Sequence, residues 1–301
     1  MRVFVTGASG HIGSALVPDL REAGHQVVGL ARSEASAAAL TRFGAEVRRG
    51  DLDDLDGLRD AARAADGVIH LAYNHAFADY AAAAAADLRA VEALGAALED
   101  SDRPFVITSG TLLLAQAAAG RVGTEQDTAP GGPRVDSENA TIAFARSRVR
   151  SSVVRLPPIV HSDLDHHGFT HRLIGAARKT GTSAYVGDGS NRWPAVHTRD
   201  AARLYRLALE TAPAGSRLHG VAEQGVPFRV IAEAIGRHLD LPATSIAPEE
   251  ASGHFGFLGP LVGLDNPTSA THTAHLLGWR PSHPGLLDDL GADHYYRQQT
   301  A

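Results

Sequence analysis

The 301-residue chain is 44% apolar and carries 28 basic against 34 acidic side chains, for a formal charge of −6. This composition can form one large globular domain, or one large and one small, and its negative charge disfavours nucleic acid and anionic membranes as partners. With no cysteine, disulfides, thiolate metal sites and a cysteine nucleophile are excluded. Because the sequence begins on an apolar strand and contains no 18-residue apolar stretch, we expect a soluble, cytoplasmic protein.

Short apolar strands alternate with helical patterns over the first 160 residues. The pattern predicts, in chain order, strand 2–6, helix 12–22, strand 26–30, helix 34–43, strand 46–48, helix 55–64, strand 67–71, helix 79–98, strand 104–108 and strand 151–156. This alternation favours right-handed crossovers and a parallel, doubly wound sheet. We therefore predict an α/β fold of the Rossmann type, with a dinucleotide-binding domain over residues 1–160.

Glycine, proline and histidine become frequent after residue 160, where only two helices are indicated, near 198–210 and 230–239. We expect residues 161–301 to form mainly a smaller, irregular, substrate-binding C-terminal part, with later segments returning to the sheet. This part should fold back over the carboxyl edge of the sheet, where such folds bind their ligands.

A glycine-rich loop follows the first strand and opens the first helix. Gly7 permits a tight turn, Gly10 lets the backbone approach a pyrophosphate, and Gly13 lets the helix pack on the strand. A plain strand-to-helix turn is the alternative. The cofactor contacts predicted in this loop are Gly7, Ser9, Gly10, His11, Ile12 and Gly13.

The end of the second strand indicates which dinucleotide is bound. Arg32 and Ser33 stand where an NAD site would place an acidic residue, and they suit the 2′-phosphate of NADP. A solvated surface arginine is the competing interpretation. After the third strand, Asp51 and the adjacent Leu52 are placed near the adenine, where Asp51 can accept from the amino group; a solvated loop aspartate is as good an explanation.

Several further motifs occur in a fixed order along the chain. They are TGxxGxxG at 6–13, GDLDD at 50–54, HLA at 70–72, TSG at 108–110, RLPP at 155–158, VGDG at 186–189, VHTRD at 196–200 and LGWRP at 277–281. Together they resemble the extended short-chain dehydrogenase/reductases, the NAD-dependent epimerase/dehydratase group. The resemblance implies that Leu71 and Ala72 line the cofactor, that Thr108 and Ser109 end the strand beneath the nicotinamide, and that Pro157 and Pro158 flank its amide.

The resemblance breaks at the usual catalytic dyad. Such enzymes carry Tyr-x-x-x-Lys about 25 residues past the Ser/Thr strand end, whereas Arg134 and Glu138 stand there in this chain. Lys179 is the only lysine, and Gly175 lies four positions before it, so the motif occurs nowhere. The sequence thus resembles an atypical branch that has lost the dyad.

Two interpretations of the substituted positions stay open. Arg134 and Glu138, at i and i+4, form a helix-surface ion pair in the simpler one. In the other, Glu138 aligns ribose hydroxyls or relays a proton, and Arg134 holds an anionic substrate or braces Glu138. Arginine cannot replace tyrosine as an acid, because its pKa lies above 12.

Other residues are therefore candidate proton donors. They are His161, which follows a sheet strand, Tyr73, which follows the fourth strand, and His197; packing or loop capping is the alternative role for each. Ser109 is a further candidate catalytic residue. The candidate substrate contacts are Asn74, His75, Trp193, Phe255 and Phe257, the aromatic ones being candidate core residues as well. The histidine-rich loop 161–167 matches no standard zinc spacing, so we predict no metal site.

These observations favour an NADP-dependent oxidoreductase that reduces a carbonyl or imine of a small, partly apolar molecule. One alternative is an epimerase or dehydratase with a tightly bound cofactor, and another is a noncatalytic NADP-binding sensor. Helices 79–98 and 134–147 are alanine-rich enough to pack closely against a second copy, which predicts a homodimer.

Overall fold

A computed structural model describes residues 1–74, 80–115 and 117–297. Its strands are β1 Arg2–Thr6, β2 Gln26–Ala31, β3 Glu46–Arg49, β4 Gly67–His70, β5 Pro104–Gly110, β6 Arg150–Leu156, β7 Ile159–His161, β8 Ser183–Val186, β9 Arg192–His197, β10 Ser216–His219, β11 Glu223–Pro227 and β12 Ala243–Ile246. Its α-helices are α1 His11–Glu22, α2 Glu34–Arg42, α3 Leu55–Arg63, α4 Tyr80–Ala96, α5 Val135–Ala143, α6 Phe169–Thr180, α7 Thr198–Thr211, α8 Phe228–Leu239, α9 Ala251–Phe255, α10 Gly259–Val262, α11 Thr271–Leu277 and α12 Leu286–Leu290.

The main sheet has seven strands in the order β10-β6-β5-β4-β1-β2-β3, and every neighbouring pair is parallel. One face is covered by α1, α2 and α7, and the other by α3, α4 and α5. The predicted doubly wound Rossmann-type fold is confirmed. Strand order reverses between β1 and β4, and the carboxyl ends at such a switch point form the ligand-binding crevice of this fold.

The helices pack on the sheet as predicted, because apolar residues recur along them at the spacing of one helix face. In α1, Leu16, Val17 and Leu20 are fully buried, and α7 packs against α1 through a similar apolar face. α7 and β10 lie in the C-terminal half of the sequence, yet they complete the main sheet layer.

The C-terminal part is more regular than the sequence suggested. It contains a three-stranded sheet, β11-β9-β7, and the parallel pair β12-β8, which pack with α6 and α8 around a second apolar core. Helix α6 was not predicted, because its buried residues Leu173, Ile174 and Ala177 lie between glycine- and histidine-rich flanks that indicated a loop. In the described part of the chain, no helix combines the length and the apolarity that crossing a bilayer requires.

Candidate cofactor and substrate site

The glycine loop between β1 and α1 is packed tightly against the end of β4. Gly7 has φ +68°, and a Cβ atom there would lie 2.7 Å from the backbone nitrogen of Ala72. A Cβ on Gly13 would lie 2.4 Å from the Gly7 carbonyl oxygen. The Ala72 amide donates to Thr6 Oγ1 at 3.2 Å. These contacts leave room only for glycine at both positions.

The start of α1 is suited to an anion. Gly10 is the N-cap residue; it is exposed, extended in backbone and without a side-chain cap, and the first turn holds no acidic residue. The first-turn amides and the helix dipole therefore fit a pyrophosphate group. Ser9 and Ile12 lie partly exposed beside this position. His11 instead contacts α7: its Nε2 lies 2.8 Å from Thr198 Oγ1, and burial lowers its pKa.

The end of β2 presents Arg32 and Ser33 to solvent. Ser33 caps α2, because its hydroxyl accepts from the Ser36 amide at 3.1 Å. Among the described residues, no carboxylate forms an ion pair with Arg32, while the neighbouring Glu34 pairs with Arg49. The hydroxyls of Ser33 and Ser36 and the guanidinium of Arg32 therefore lie together at the start of α2, and a phosphate group can bind donors of these kinds.

The loop after β3 holds the predicted adenine contact. Asp51 is exposed, and its Oδ1 accepts from the amides of Asp53 and Asp54 at 2.9 and 3.1 Å, which fixes the turn before α3. Leu52 packs on the core beneath this turn. Asp51 thus has a structural role whether or not it contacts adenine.

The ends of β4, β5 and β6 form the central edge of the crevice. Leu71, Ala72 and Thr108 are partly exposed there, and Ser109 is buried. The Thr108 hydroxyl donates to the His70 carbonyl and lies 2.8 Å from the Tyr205 hydroxyl. The predicted cofactor residues Pro157 and Pro158 form the turn between β6 and β7.

Arg134 does not pair with Glu138, so that interpretation of their spacing is wrong. Arg134 precedes α5 with a left-handed backbone, φ +68°, and its side chain leaves the helix surface. Nη2 donates to the carbonyl oxygen of Thr108 at 2.7 Å, and Cζ lies 4.1 Å from the ring centroid of Tyr73. Arg134 is half-buried. A guanidinium therefore stands at the crevice edge, fixed between β4 and β5.

Glu138 lies in a buried ionic cluster. The Arg155 Nε donates to Oε2 at 3.0 Å, the Arg155 Nη2 donates to Oε1, and the Arg217 Nε donates to Oε1 at 2.8 Å. Burial raises the pKa of Glu138, but the bonds from Arg155 and Arg217 outweigh it, so the pKa is lowered. Both carboxylate oxygens are taken by guanidinium groups, and Glu138 is not placed to relay a proton.

A buried polar network that the sequence analysis missed lies behind the crevice. Thr6 Oγ1 is 2.8 Å from His70 Nδ1, His70 Nε2 is 3.3 Å from Asp87 Oδ1, and the Ser137 hydroxyl donates to Asp87 Oδ2 at 2.7 Å. Burial raises the pKa of Asp87, but the hydrogen bond from His70 and the charge of Arg134 outweigh burial, so the pKa is lowered. The network joins β1, β4, α4 and α5. Its signal in the sequence was an aspartate inside an alanine-rich helix.

The candidate donors His161 and His197 do not face the crevice. His161 is fully buried, with Nδ1 2.9 Å from Asp289 Oδ2, and its ring packs edge-on against His197 at 5.5 Å. His197 Nδ1 accepts from the Arg199 amide, and burial with nearby His161 lowers the pKa of His197 to about 4. β7 pairs with β9 so that His161 lies opposite His197, and both rings are buried. Burial of both rings contradicts their prediction as proton donors to a substrate in the crevice and favours the packing role.

Tyr73 and Asn74 follow β4. The Tyr73 hydroxyl is buried, and burial raises its pKa although Arg134 acts against this, so the accessible part of Tyr73 is its ring. This placement contradicts a proton-donating role for the phenol. Asn74 is exposed at the crevice rim. His75 lies outside the described residues.

The aromatic substrate candidates divide into two groups. Trp193 is fully buried, 5.0 Å from Phe228 between ring centroids, and donates to the Leu264 carbonyl; Phe255 is also buried in this second core. Both assignments to substrate were wrong, because these rings form the C-terminal core. Phe257 is exposed at its surface and packs beside Arg172.

One cluster has the composition of a metal site. Ligand atoms of His197, Asp200 and His283 lie within 4.8 Å of one another. The two imidazole rings are stacked, however, with centroids 4.6 Å apart and planes 6° from parallel, so their in-plane lone pairs cannot converge on one ion. Asp200 meanwhile accepts from the amides of Ser282 and His283. The arrangement fits a hydrogen-bonded link between β9, α7 and the C-terminal chain.

The reversal of strand order between β1 and β4, the tight glycine loop and the uncapped start of α1 are features of the Rossmann-type nucleotide-binding fold. A family model for the NAD dependent epimerase/dehydratase family matches residues 3–219, and the chain belongs to this family. An uncharacterized protein of Schizosaccharomyces pombe, C2A9.02, is 48% identical over 298 residues, covering 98% of this chain and 100% of that protein.

Two further proteins extend the comparison. The 2-alkyl-3-oxoalkanoate reductase of Stenotrophomonas maltophilia is 29% identical over 232 residues, covering 74% of this chain and 69% of that one. The crystal structure of DesIV, a dTDP-glucose 4,6-dehydratase of Streptomyces venezuelae with NAD and TYD bound, matches with a TM-score of 0.77 at 21% identity, over 99% of this chain and 98% of that one. This likeness concerns the fold.

Proposed function

We propose that the protein is an NADP-dependent oxidoreductase that reduces the carbonyl group of a small, partly apolar molecule. The observation that carries this proposal is the burial of Glu138 in ion pairs with Arg155 and Arg217. An epimerase or dehydratase begins by oxidising a hydroxyl group, which needs a base. Arg134 and Glu138, at the two dyad positions, offer none. Hydride transfer to a carbonyl needs no base, so reduction suits these residues better.

The end of β2 supports NADP over NAD. Arg32 and the hydroxyls of Ser33 and Ser36 gather at the start of α2, and no acidic side chain ends the strand to accept from a ribose 2′-hydroxyl. Glu34, the nearest acid in sequence, is paired with Arg49. The side chains present therefore favour a phosphate over a free hydroxyl group.

The chain's residues have distinct tasks in this proposal. First-turn amides of α1 would hold the pyrophosphate, and Leu71, Ala72 and Thr108 would border the nicotinamide ring. When bound, the cofactor supplies hydride from its nicotinamide. The 29% sequence identity with a 2-alkyl-3-oxoalkanoate reductase supports a ketone as the class of hydride acceptor. We assign exposed Asn74, after β4, as a polar contact for the ketone and exposed Phe257, on the C-terminal part, as an apolar contact.

Cofactor choice is tested by fluorescence titration with NADPH and NADH. We expect NADPH to bind at least about tenfold more tightly, and Arg32→Ala to remove most of that preference, because a charge-assisted bond contributes about 1.5–3 kcal/mol. Arg42→Ala is the matched control: it removes the same charge from the far end of α2, about 12 Å away. Equal affinity of the unmodified protein for both cofactors would contradict the 2′-phosphate argument.

The reaction is tested by NADPH consumption with ketones, aldehydes and cyclic imines. We expect turnover with a carbonyl compound. Conversion of a sugar nucleotide without net NADPH consumption would support an epimerase or dehydratase instead. If no compound reacts, and a protein partner is recovered only when NADP is present, the noncatalytic sensor becomes the better hypothesis.

We also propose that the protein forms a homodimer through α4 and α5. These helices pack side by side, and the alanines Ala81 and Ala85 are exposed on α4. Small residues allow close approach of helices from two copies. Sedimentation of the purified protein tests this directly, and a monomer at micromolar concentration would refute it.

A further inference from the structure

We propose that Arg134 is a catalytic residue that binds the reacting oxygen of the substrate carbonyl and stabilises the negative charge that forms there. The inference rests on the proposed reductase function and defines its substrate class. That class is a neutral carbonyl compound, rather than an imine in its protonated form.

The guanidinium of Arg134 is held by two contacts. The left-handed backbone directs it away from α5, the Thr108 carbonyl accepts one N–H at 2.7 Å, and the Tyr73 ring supports its face at 4.1 Å. A guanidinium has five N–H donors, so this anchoring leaves others for a ligand. Thr108 lies near the end of β5 and Tyr73 follows β4, so the guanidinium lies where the crevice is bordered by both strands.

Arg134 forms no direct ion pair with any carboxylate in the described part of the chain. No described carboxylate lies within ion-pair distance of Arg134, and Glu138 is engaged by Arg155 and Arg217. The charge of Asp87 attracts Arg134 from a distance, but the hydrogen bonds of Asp87 are to His70 and Ser137. A half-buried cation that no described carboxylate bonds directly has lost part of its hydration, and an anionic oxygen at the crevice would compensate this cost.

The chemistry balances without an acidic side chain. The carbonyl carbon accepts hydride, the π-electron pair moves to oxygen, and the guanidinium stabilises the resulting oxyanion. Arginine does not give up its proton, because its pKa exceeds 12. The oxyanion takes a proton from solvent water, which leaves as hydroxide and is neutralised by buffer. An iminium substrate would instead bring a second positive charge toward Arg134, and like charges repel.

Tyr73 is a positioning residue in this scheme. Its hydroxyl is buried and its ring supports the guanidinium. Tyr73→Leu, which removes the ring, should therefore lower kcat more than Tyr73→Phe, which keeps it. If the two variants lose activity equally and kcat of the unmodified enzyme falls with a single ionisation above pH 10, the phenol is the proton donor and the proposed source of the proton is wrong.

The main test replaces Arg134 in the full-length protein. With the ketone that gives the fastest NADPH consumption in the reaction assay, Arg134→Ala should lower kcat by about 10²–10³-fold, as loss of an oxyanion-binding donor does in other enzymes. The Kd for NADPH should change less than about threefold. Arg134→Lys keeps the charge without the planar fork and should recover part of the loss. Millimolar guanidinium chloride should partly restore Arg134→Ala.

Arg148→Ala is the matched control. Arg148 also has a left-handed backbone, φ +54°, and it lies beyond the other end of α5 in an exposed pair with Asp102. Its replacement removes the same group and the same backbone preference away from the crevice. It should leave kcat unchanged. If Arg134→Ala retains kcat within about threefold, Arg134 is not catalytic and the proposal is overturned.

A binding measurement separates this inference from the reductase function. Benzoate carries an oxyanion and benzamide is its neutral counterpart, so calorimetry on the NADP⁺-loaded protein should show tighter binding of benzoate. Arg134→Ala should abolish that preference, and Arg148→Ala should keep it. If no carbonyl is reduced but the preference depends on Arg134, the oxyanion site stands and the reductase assignment fails. No preference in the unmodified protein would refute the site.

Discussion

Replacing Glu138 with glutamine should destabilise the whole fold, because Glu138 is the counter-ion of two arginines. The exposed fraction of the side chain is 5% for Glu138, 1% for Arg155 and 20% for Arg217. Removing one member of a buried ion pair costs about 3–5 kcal/mol, because the remaining charge is left uncompensated. Glutamine keeps the shape and one acceptor oxygen, so we expect the lower value, about 3 kcal/mol.

The assay is urea unfolding followed by circular dichroism, with Glu233→Gln as control. Glu233 pairs with Arg229 at i,i+4 on an exposed surface, where such a pair contributes about 0.3–0.5 kcal/mol. The double change Glu138→Gln with Arg155→Met should recover part of the loss, since it removes the orphaned charge. If Glu138→Gln costs no more than Glu233→Gln, the buried cluster does not contribute to stability and the reasoning is wrong.

The same cluster sets a pH dependence with a definite sign. The pKa of Glu138 is lower in the folded protein than in the unfolded chain, whose value is about 4.3. Its contribution to stability is therefore complete above about pH 5, and it is lost as the pH falls through the folded-state pKa. The loss on acidification should be smaller in Glu138→Gln, which has no carboxyl group to protonate at this position.

Two further predictions concern buried residues. Trp193→Ala should lower stability by about 3–5 kcal/mol in urea unfolding while leaving NADPH affinity within about twofold, because Trp193 belongs to the C-terminal core; a selective loss of substrate binding in a stable protein would return it to the site. Burial lowers the pKa of His219 to about 4, and its Nδ1 lies 2.7 Å from the Ser269 carbonyl. NMR should therefore show a neutral His219 ring at pH 6. Because a histidine in the unfolded chain titrates near 6.5, the free energy of unfolding should decrease as the pH falls from about 6.5 to 4. A His219 ring that titrates near 6.5 in the folded protein would contradict this prediction.

The main sheet could be predicted because its signals are local. Each strand and helix of the first 160 residues carries its own periodicity, and the glycine loop carries its packing requirement in the identity of Gly7 and Gly13. Helix α6 lacked this clarity, since the apolar residues that bury it are few and its flanks are typical of loops. A strand or helix could thus be predicted wherever its own residues carried a clear periodicity.

The candidate donors depended on contacts between distant segments. His161 follows a strand of the main sheet, and the sequence alone places such a residue at the crevice. The chain instead enters a second sheet, where β7 pairs with β9 and His161 lies opposite His197. That pairing, together with Asp289 from α12, decides that the ring is buried. No spacing within either strand carries this information.

The dyad positions show how one backbone angle changes the meaning of a motif. Had Arg134 been helical, its side chain would have shared a face with Glu138; at φ +68° it extends to Thr108 instead, and Glu138 is left to Arg155 and Arg217. The two positions therefore act independently. Reinstating the family motif with Arg134→Tyr and Glu138→Lys would bury a third cation against Arg155 and Arg217, which disfavours the fold before any proton transfer is considered. The arginine-rich surroundings of Glu138 thus oppose a return to the dyad.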